Sequence, residues 1–204
     1  MKLDKEKSFN AISKILSNAD SLIDDANILL QHSKLSRAYT LFQLAIEEVG
    51  KAALVYGFLL FEDLENTETQ KSFLWDFTDH KNKTLKSLGM ELRLIFITDD
   101  ENIKKNILMD IENQIEHLAE MNNFKNYSLY TSLINGEFHV PSEIITKKHV
   151  EDIRSRADRR LASAKSHYSI DIDEFNEICQ YVKSQDLSKL EEDVDEFIKD
   201  IINR

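Results

Sequence analysis

The chain has 204 residues, 31% of them charged and 42% apolar, with one proline, four glycines and a formal net charge of −11. That length supports one well-buried domain and is short for two, and the composition is that of a globular rather than a disordered protein. The single cysteine, Cys179, excludes an internal disulfide framework, no CxxC pair offers structural zinc, and the acidic balance argues against nucleic-acid binding by overall field. The opening MKLDKEKSFN lacks an apolar signal region, so a reduced, cytoplasmic setting is expected.

Apolar residues from Phe9 through Ile12, Leu16, Ala19, Ile23 and Ala26 to Leu30 recur at three- and four-residue steps. They predict a long amphipathic helix over about 4–32 with one apolar stripe. The short polar link 33–36 favours an antiparallel hairpin and offers Ser36 as N-cap of a second helix, 36–61. From Leu41 to Phe61 this helix is almost wholly apolar, and its only charges are Glu47, Glu48 and Lys51. A membrane span would carry those three charges at about 2.5–3.5 kcal/mol each, and no Lys/Arg cluster flanks the run. A central core helix is the better reading, with no membrane partner. Charges in such surroundings need partners, and Glu47–Lys51 (i, i+4) or Glu48–Lys51 (i, i+3) can supply them. They are either a buried ion pair that sets register or the floor of a site. Ala38, Ala45 and Ala52 on one face, with Gly50 and Gly57, admit a close helix neighbour from this chain or from a second copy.

Residues 66–78 read as a short helix or packed loop carrying Phe73, Leu74, Trp75 and Phe77. A third helix is expected over about 80–97, capped by Asp79, with His80 and Lys83 sharing a face and Leu85, Leu88, Leu92 and Ile95 or Phe96 facing inward. Asp99 and Asp100 introduce a fourth, with the stripe Ile103, Ile107, Met109 or Ile111, Ile115 and Leu118, ending near 121–123. Residues 124–141 break the period, and Asn135-Gly136 with Pro141 suggest an ordered loop or small hairpin. Helix five is expected over 146–169, rich in Lys and Arg, and Asp173 is the expected cap of a sixth with Phe175, Ile178, Cys179 and Val182 inside. Ser188 and Glu191 have capping-box spacing for a final acidic helix. The expectation is an all-α bundle of about six to seven helices in one domain over 1–204, with one excursion before helix five and residues 173–203 packed on the bundle. No glycine-rich phosphate loop, HExxH or GxSxG motif occurs, which removes most support for nucleotide-kinase and ordinary hydrolase readings.

Three strings, LAIEEVGKAAL, DHKNK and SLYTSLINGEFHVP, resemble the AbiV family of bacterial abortive-infection proteins, grouped with the HEPN helical superfamily. The likeness runs from about Ala26 to Lys165. It implies a HEPN-like bundle that tends to dimerise, a phage-defence role, and growth arrest through blocked translation. Many HEPN domains are metal-independent ribonucleases built across a dimer interface, so neither cofactor nor metal is expected. The superfamily's E-x-x-x-K element matches Glu47 to Lys51. Its arginine–histidine hallmark suits attack by a ribose 2′-hydroxyl, which needs proton transfer and a fixed cation for the phosphorane. Lys125-x4-Tyr130 has that spacing, and Arg160-x6-His167 has both residue types.

The candidate catalytic set is therefore Glu47, Glu48, Lys51, His80, Tyr130, Arg160 and His167, with Lys83, Lys125, Arg156 and Arg159 as RNA or phosphate contacts. Which glutamate points inward, and which of His80, Tyr130 and His167 joins it, stays open. His167 also suits a helix C-terminus, Tyr130 a core aromatic and His80 a helix start. The first functional reading is a dimeric, toxin-like ribonuclease triggered by a phage-encoded activator. The other is a non-catalytic module that binds a phage protein or the translation machinery.

Overall fold

A computed structural model describes residues 4–61, 64, 66–92, 99–116 and 118–184. Helix α1 (Lys5–Gln31) folds back on α2 (Leu35–Phe61) through a two-bond close, Ser33 N–H to Leu30 O and Lys34 N–H to Leu29 O. Ser33 takes φ 57°, the left-handed residue that such a helix end requires. The connection is one residue shorter than expected: Lys34 O accepts the first bond of α2, from Ala38 N–H, so Ser36 lies inside the helix and does not cap it.

α2 is the axis of the molecule and contacts α1, α3 (Thr67–Thr78), α4 (His80–Ser87), α6 (Leu118–Leu129), α7 (Pro141–Ile144), α8 (Lys147–His167) and α9 (Ile172–Ser184). Its composition explains this, because seventeen of its residues are buried and only a helix apolar around most of its circumference can accept so many neighbours. Ile12, Leu16, Ala19 and Ile23 from α1 meet it on one side, and Val150, Ile153, Ala157 and Leu161 from α8 on another. Phe175 and Cys179 of α9 complete the same core. Ala38, Ala45 and Ala52 are all spent inside this one chain. No helix among the described residues is long and apolar enough to cross a membrane.

The caps follow side-chain chemistry. Asn66 accepts from Glu68 N–H and Thr69 N–H at the start of α3, so residues 67–78 are helix rather than loop. Asp79 accepts from Asn82 N–H and starts α4 as expected. α4 is shorter than expected, although residues 89–92 turn helically again; Leu88 is buried and Leu85 is exposed. Residues 95 and 96 lie outside the described residues. In α5 (Glu101–Glu116) Ile111 is the inward residue, whereas Ile103 and Met109 are exposed.

Where one helix is expected to end near 121–123, α5 is described to Glu116 and α6 runs from Leu118 to Leu129, its end held against α2 by the buried partners of Lys125 and Ser128. The excursion proper is the hairpin β1 (Ser132–Ile134) and β2 (Glu137–His139), paired Leu133 to Phe138. Its turn residues Asn135 and Gly136 have φ of 53° and 87°, the two positive values a tight primed turn demands. Thr146 caps α8, while Asp171, not Asp173, caps α9 by accepting from Asp173 N–H and Glu174 N–H. The final acidic helix around Ser188 and Glu191 lies outside the described residues.

Gly50 is where α4 closes on α2. A Cβ added there would stand 1.8 Å from the carbonyl oxygen of Lys83, a backbone atom that cannot step aside alone. A Cβ on Gly57 would meet nothing within 4 Å. Gly50→Ala should therefore lower unfolding free energy by about 1–3 kcal/mol or more, whereas Gly57→Ala should be neutral or add up to about 1 kcal/mol of helix propensity. Urea titrations of the two variants check the contrast, and equal midpoints would refute the close approach.

Candidate functional site

The site begins with one desolvated carboxylate. Glu47, 3% exposed, faces α4 and α6 from the middle of α2. Its Oε1 accepts from Lys125 Nζ at 2.8 Å and its Oε2 lies 2.6 Å from His80 Nδ1. Lys83 Nζ stands 3.7 Å from Oε2, and both lysines are buried. Burying a carboxylate without partners is costly, and here two ammonium groups and a ring nitrogen offset that cost. Burial pushes the Lys83 pKa down, Glu47 pulls it back up, and the neighbouring Lys51 and Lys125 push it down again.

The next residue of α2, Glu48, pairs with Lys51 at i, i+3, their side chains 14% and 24% exposed. Of the two possible pairings this one forms, and Glu47 is left for the interior. Lys51 Nζ also lies 5.6 Å from the centre of the Phe77 ring on α3. The cluster holds three ammonium groups against two carboxylates, so its charge is positive before His80 is counted. A protein that is acidic overall thus presents a local cationic centre.

His80 is the member that reaches solvent, with 56% of its side chain exposed. Because Nδ1 is held by Glu47, Nε2 is the nitrogen left for a substrate. Neighbouring polar residues brace this arrangement: Thr84 Oγ1 donates to His80 O and accepts from Gln43 Nε2, and Thr40 and Ser128 hydroxyls meet at 2.6 Å. Thr40, Gln43 and Glu47 form one buried polar stripe of α2 turned toward α4 and α6, and Arg37 continues it at the exposed end, donating to Leu129 O.

Helix α8 builds a second centre from residues expected to contact phosphate. Arg160 is 0% exposed. Its Nε donates to Glu91 Oε1 at 3.1 Å, Nη1 to Ser87 Oγ at 2.6 Å and Nη2 to Gln114 Oε1. Burial lowers its pKa and Glu91 opposes that shift. Arg156 and Arg159 reach Asp110 at 3.0 and 2.8 Å. These arginines join α8 to α5 and to the turn after α4, and Arg160 is sealed from any phosphate.

Of the residues singled out in the sequence, Glu47, His80, Lys83 and Lys125 converge, with the Glu48–Lys51 pair beside them on α2. Tyr130 is exposed just past α6 and is neither buried nor hydrogen-bonded by its hydroxyl to the cluster. His167 packs its ring 5.2 Å from Tyr56 and 4.8 Å from Tyr168, more than a turn along α2 from Lys51. Thr40, Gln43, Thr84, Ser87, Glu91, Asp110 and Gln114 were not legible as site or clamp residues. Thr84, Ser87, Asp110 and Gln114 sit in helices with a polar face, where a polar residue reads as solvated, and Thr40 and Gln43 are uncharged residues on α2 whose partners come from distant helices. Among the described residues no three His, Cys, Asp or Glu side chains gather in a metal-binding group.

The family model HEPN_AbiV, described as AbiV, matches residues 7–162, well over half of the 204. The chain belongs to the AbiV family. It is thereby a member of the HEPN-type abortive-infection proteins of antiviral defence. The AbiV match contains both ionic centres and begins earlier than the likeness in the motifs alone, while His167 and α9 lie beyond it. No curated protein and no solved structure matches the chain.

The two ionic centres carry a common expectation. Glu47→Gln leaves two buried ammonium groups without their carboxylate, and Arg160→Ala removes the buried cation of Glu91 and unpairs Ser87 and Gln114, so each should cost about 3–5 kcal/mol of stability. Glu48→Gln, at a partly exposed pair, should cost about 1 kcal/mol or less. Chemical denaturation compares the three, and a Glu48 variant as unstable as the Glu47 variant would reverse the assignment of the inward carboxylate.

Proposed function

We infer that the chain is a metal-independent endoribonuclease of abortive infection, and that the Glu47–His80 cluster is its active centre. The observation that carries this reading is His80 itself: Nδ1 is 2.6 Å from a buried carboxylate while over half of the side chain faces solvent. A carboxylate behind an imidazole selects its tautomer and stabilises the imidazolium once a proton arrives. In RNA the proton comes from the ribose 2′-hydroxyl. His80 Nε2 accepts it as the 2′-oxygen bonds to the adjacent phosphorus, and the bond to the 5′-oxygen breaks. The imidazolium returns the proton to that leaving oxygen, giving a 2′,3′-cyclic phosphate and a 5′-hydroxyl. Lys51, the more accessible ammonium beside the cluster, faces the charge that builds on the phosphorane.

Purified protein incubated with total RNA in EDTA tests the chemistry, with extract from phage-infected cells added to supply a phage-encoded activator. The wild type should yield fragments ending in cyclic phosphate. His80→Ala should lower the rate by about 10²–10⁴-fold, while His167→Ala should leave it within a few fold. Full activity in the His80 variant would dismiss the centre.

The second reading is a non-catalytic module that arrests growth by binding a phage protein or the translation machinery. What favours it is the burial of Arg160, since the arginine–histidine pair on α8 does not assemble as a site. Intact RNA together with blocked in vitro translation selects this reading.

Either form is proposed to act as a homodimer, on the strength of family membership, because the alanine face of α2 is consumed within the chain. Light scattering should give twice the monomer's 23.8 kDa; a monomer at micromolar concentration would exclude it.

A further inference from the structure

Beside the ionic cluster, α2, α3 and the end of α4 line an open cavity of about 550 Å³. Sites for small organic ligands run from about 300 to 1,000 Å³. Leu54 and Phe58 of α2 and Phe73 of α3 give it apolar and aromatic walls, and Gly57 leaves its floor open, since a side chain there would meet nothing within 4 Å. Its charged groups are Glu68, Asp76 and Lys86. Two carboxylates against one ammonium disfavour a phosphate inside, and aromatic walls favour a flat ligand that brings N–H donors.

The cavity continues the site. Glu47, Lys51, Leu54, Phe58 and Phe61 follow one another at four- and three-residue steps, a single stripe of α2. At about 1.5 Å rise per residue, Leu54 lies about 10 Å along the axis from Glu47. On the other wall Asp76 precedes His80 by four residues, and Lys51 rests against Phe77 between them. An RNA strand with a ribose at His80 brings a neighbouring base to the cavity mouth.

Among the four bases, guanine presents two adjacent donors, N1–H and N2–H, and a carboxylate accepts both in parallel. Adenine and cytosine set a single amino group beside a ring acceptor, and uracil sets one imino group between two carbonyls, so each brings a lone pair against the carboxylate. Asp76 is held in place to accept such a pair. Its Oδ1 accepts from Asn82 Nδ2 at 2.8 Å, which orients the group and leaves acceptor capacity on both oxygens.

We propose that this cavity is a recognition pocket for guanine in single-stranded RNA, on a nucleotide flanking the cleaved bond. Its place beside that bond rests on the ribonuclease reading; its affinity for the base does not. The test is calorimetric titration of the full-length protein with the 5′-monophosphates of guanosine, adenosine, cytidine and uridine. The guanosine nucleotide should bind at least about tenfold more tightly than the others. Gly57→Leu, which fills the floor, should abolish that binding while keeping a wild-type melting temperature. Asp76→Asn should weaken it about tenfold and erase the preference, and it decides the matter if the leucine variant fails to fold. Equal binding of all four nucleotides, no binding at all, or undiminished binding in both variants overturns the pocket. Guanosine nucleotide bound with RNA left intact keeps the pocket and ends the cleavage reading. RNA cut without regard to guanine by a protein that binds no nucleotide does the reverse.

Discussion

A single carboxylate, sunk in the most apolar helix of the chain and neutralised from two other helices, governs the architecture of the functional region. The cost of burying Glu47 inside α2 is offset by His80 and Lys83 from α4 and Lys125 from α6. The contact therefore works as a registration device as much as a source of stability. Slide α4 by one residue and the carboxylate loses its partners. Gly50 makes the contact possible by letting the backbone at Lys83 touch the backbone of α2.

A second buried ionic centre plays the matching part at the end of α4. Arg160 gathers Glu91, Ser87 and Gln114, so α8, α5 and the turn after α4 meet around one guanidinium. Its five planar donors suit this role because a fork can satisfy several acceptors at once, which an ammonium on a flexible stem does less well. Arg156, Arg159 and Arg160 of α8 are spent on partners from other helices. Lys51 is paired within its own helix, to Glu48, and keeps a quarter of its side chain exposed toward an incoming anion.

The α3–α4 corner joins this chemistry to the neighbouring cavity. Asp79 ends one helix and caps the next, which fixes His80 at the first position of α4 and Asp76 at the last turn of α3. A histidine at a helix start is normally solvent-facing, and here that exposure is kept on one edge of the ring while the other edge is tied to Glu47. The result is a ring held rigidly enough to act and open enough to be reached.

Local chemistry alone determined much of this protein. The three-to-four periodicity of α1, α2 and α8, the Asp79 cap, the Asn135-Gly136 turn and the conflict between three charges and their apolar surroundings on α2 are properties of neighbouring residues. So is the EEVGK string that carries family membership. Only the tertiary structure decided that Glu47 rather than Glu48 turns inward, that Lys125 extends a helix where aromatics and polar residues suggested a loop, and that Arg160 is sealed while His80 is not. Adjacent glutamates differ by about 100° around a helix axis, and which of them is desolvated depends on helices placed 33 and 78 residues away along the chain. Short-range pattern encodes where a charge sits on its own helix; long-range packing chooses its partners.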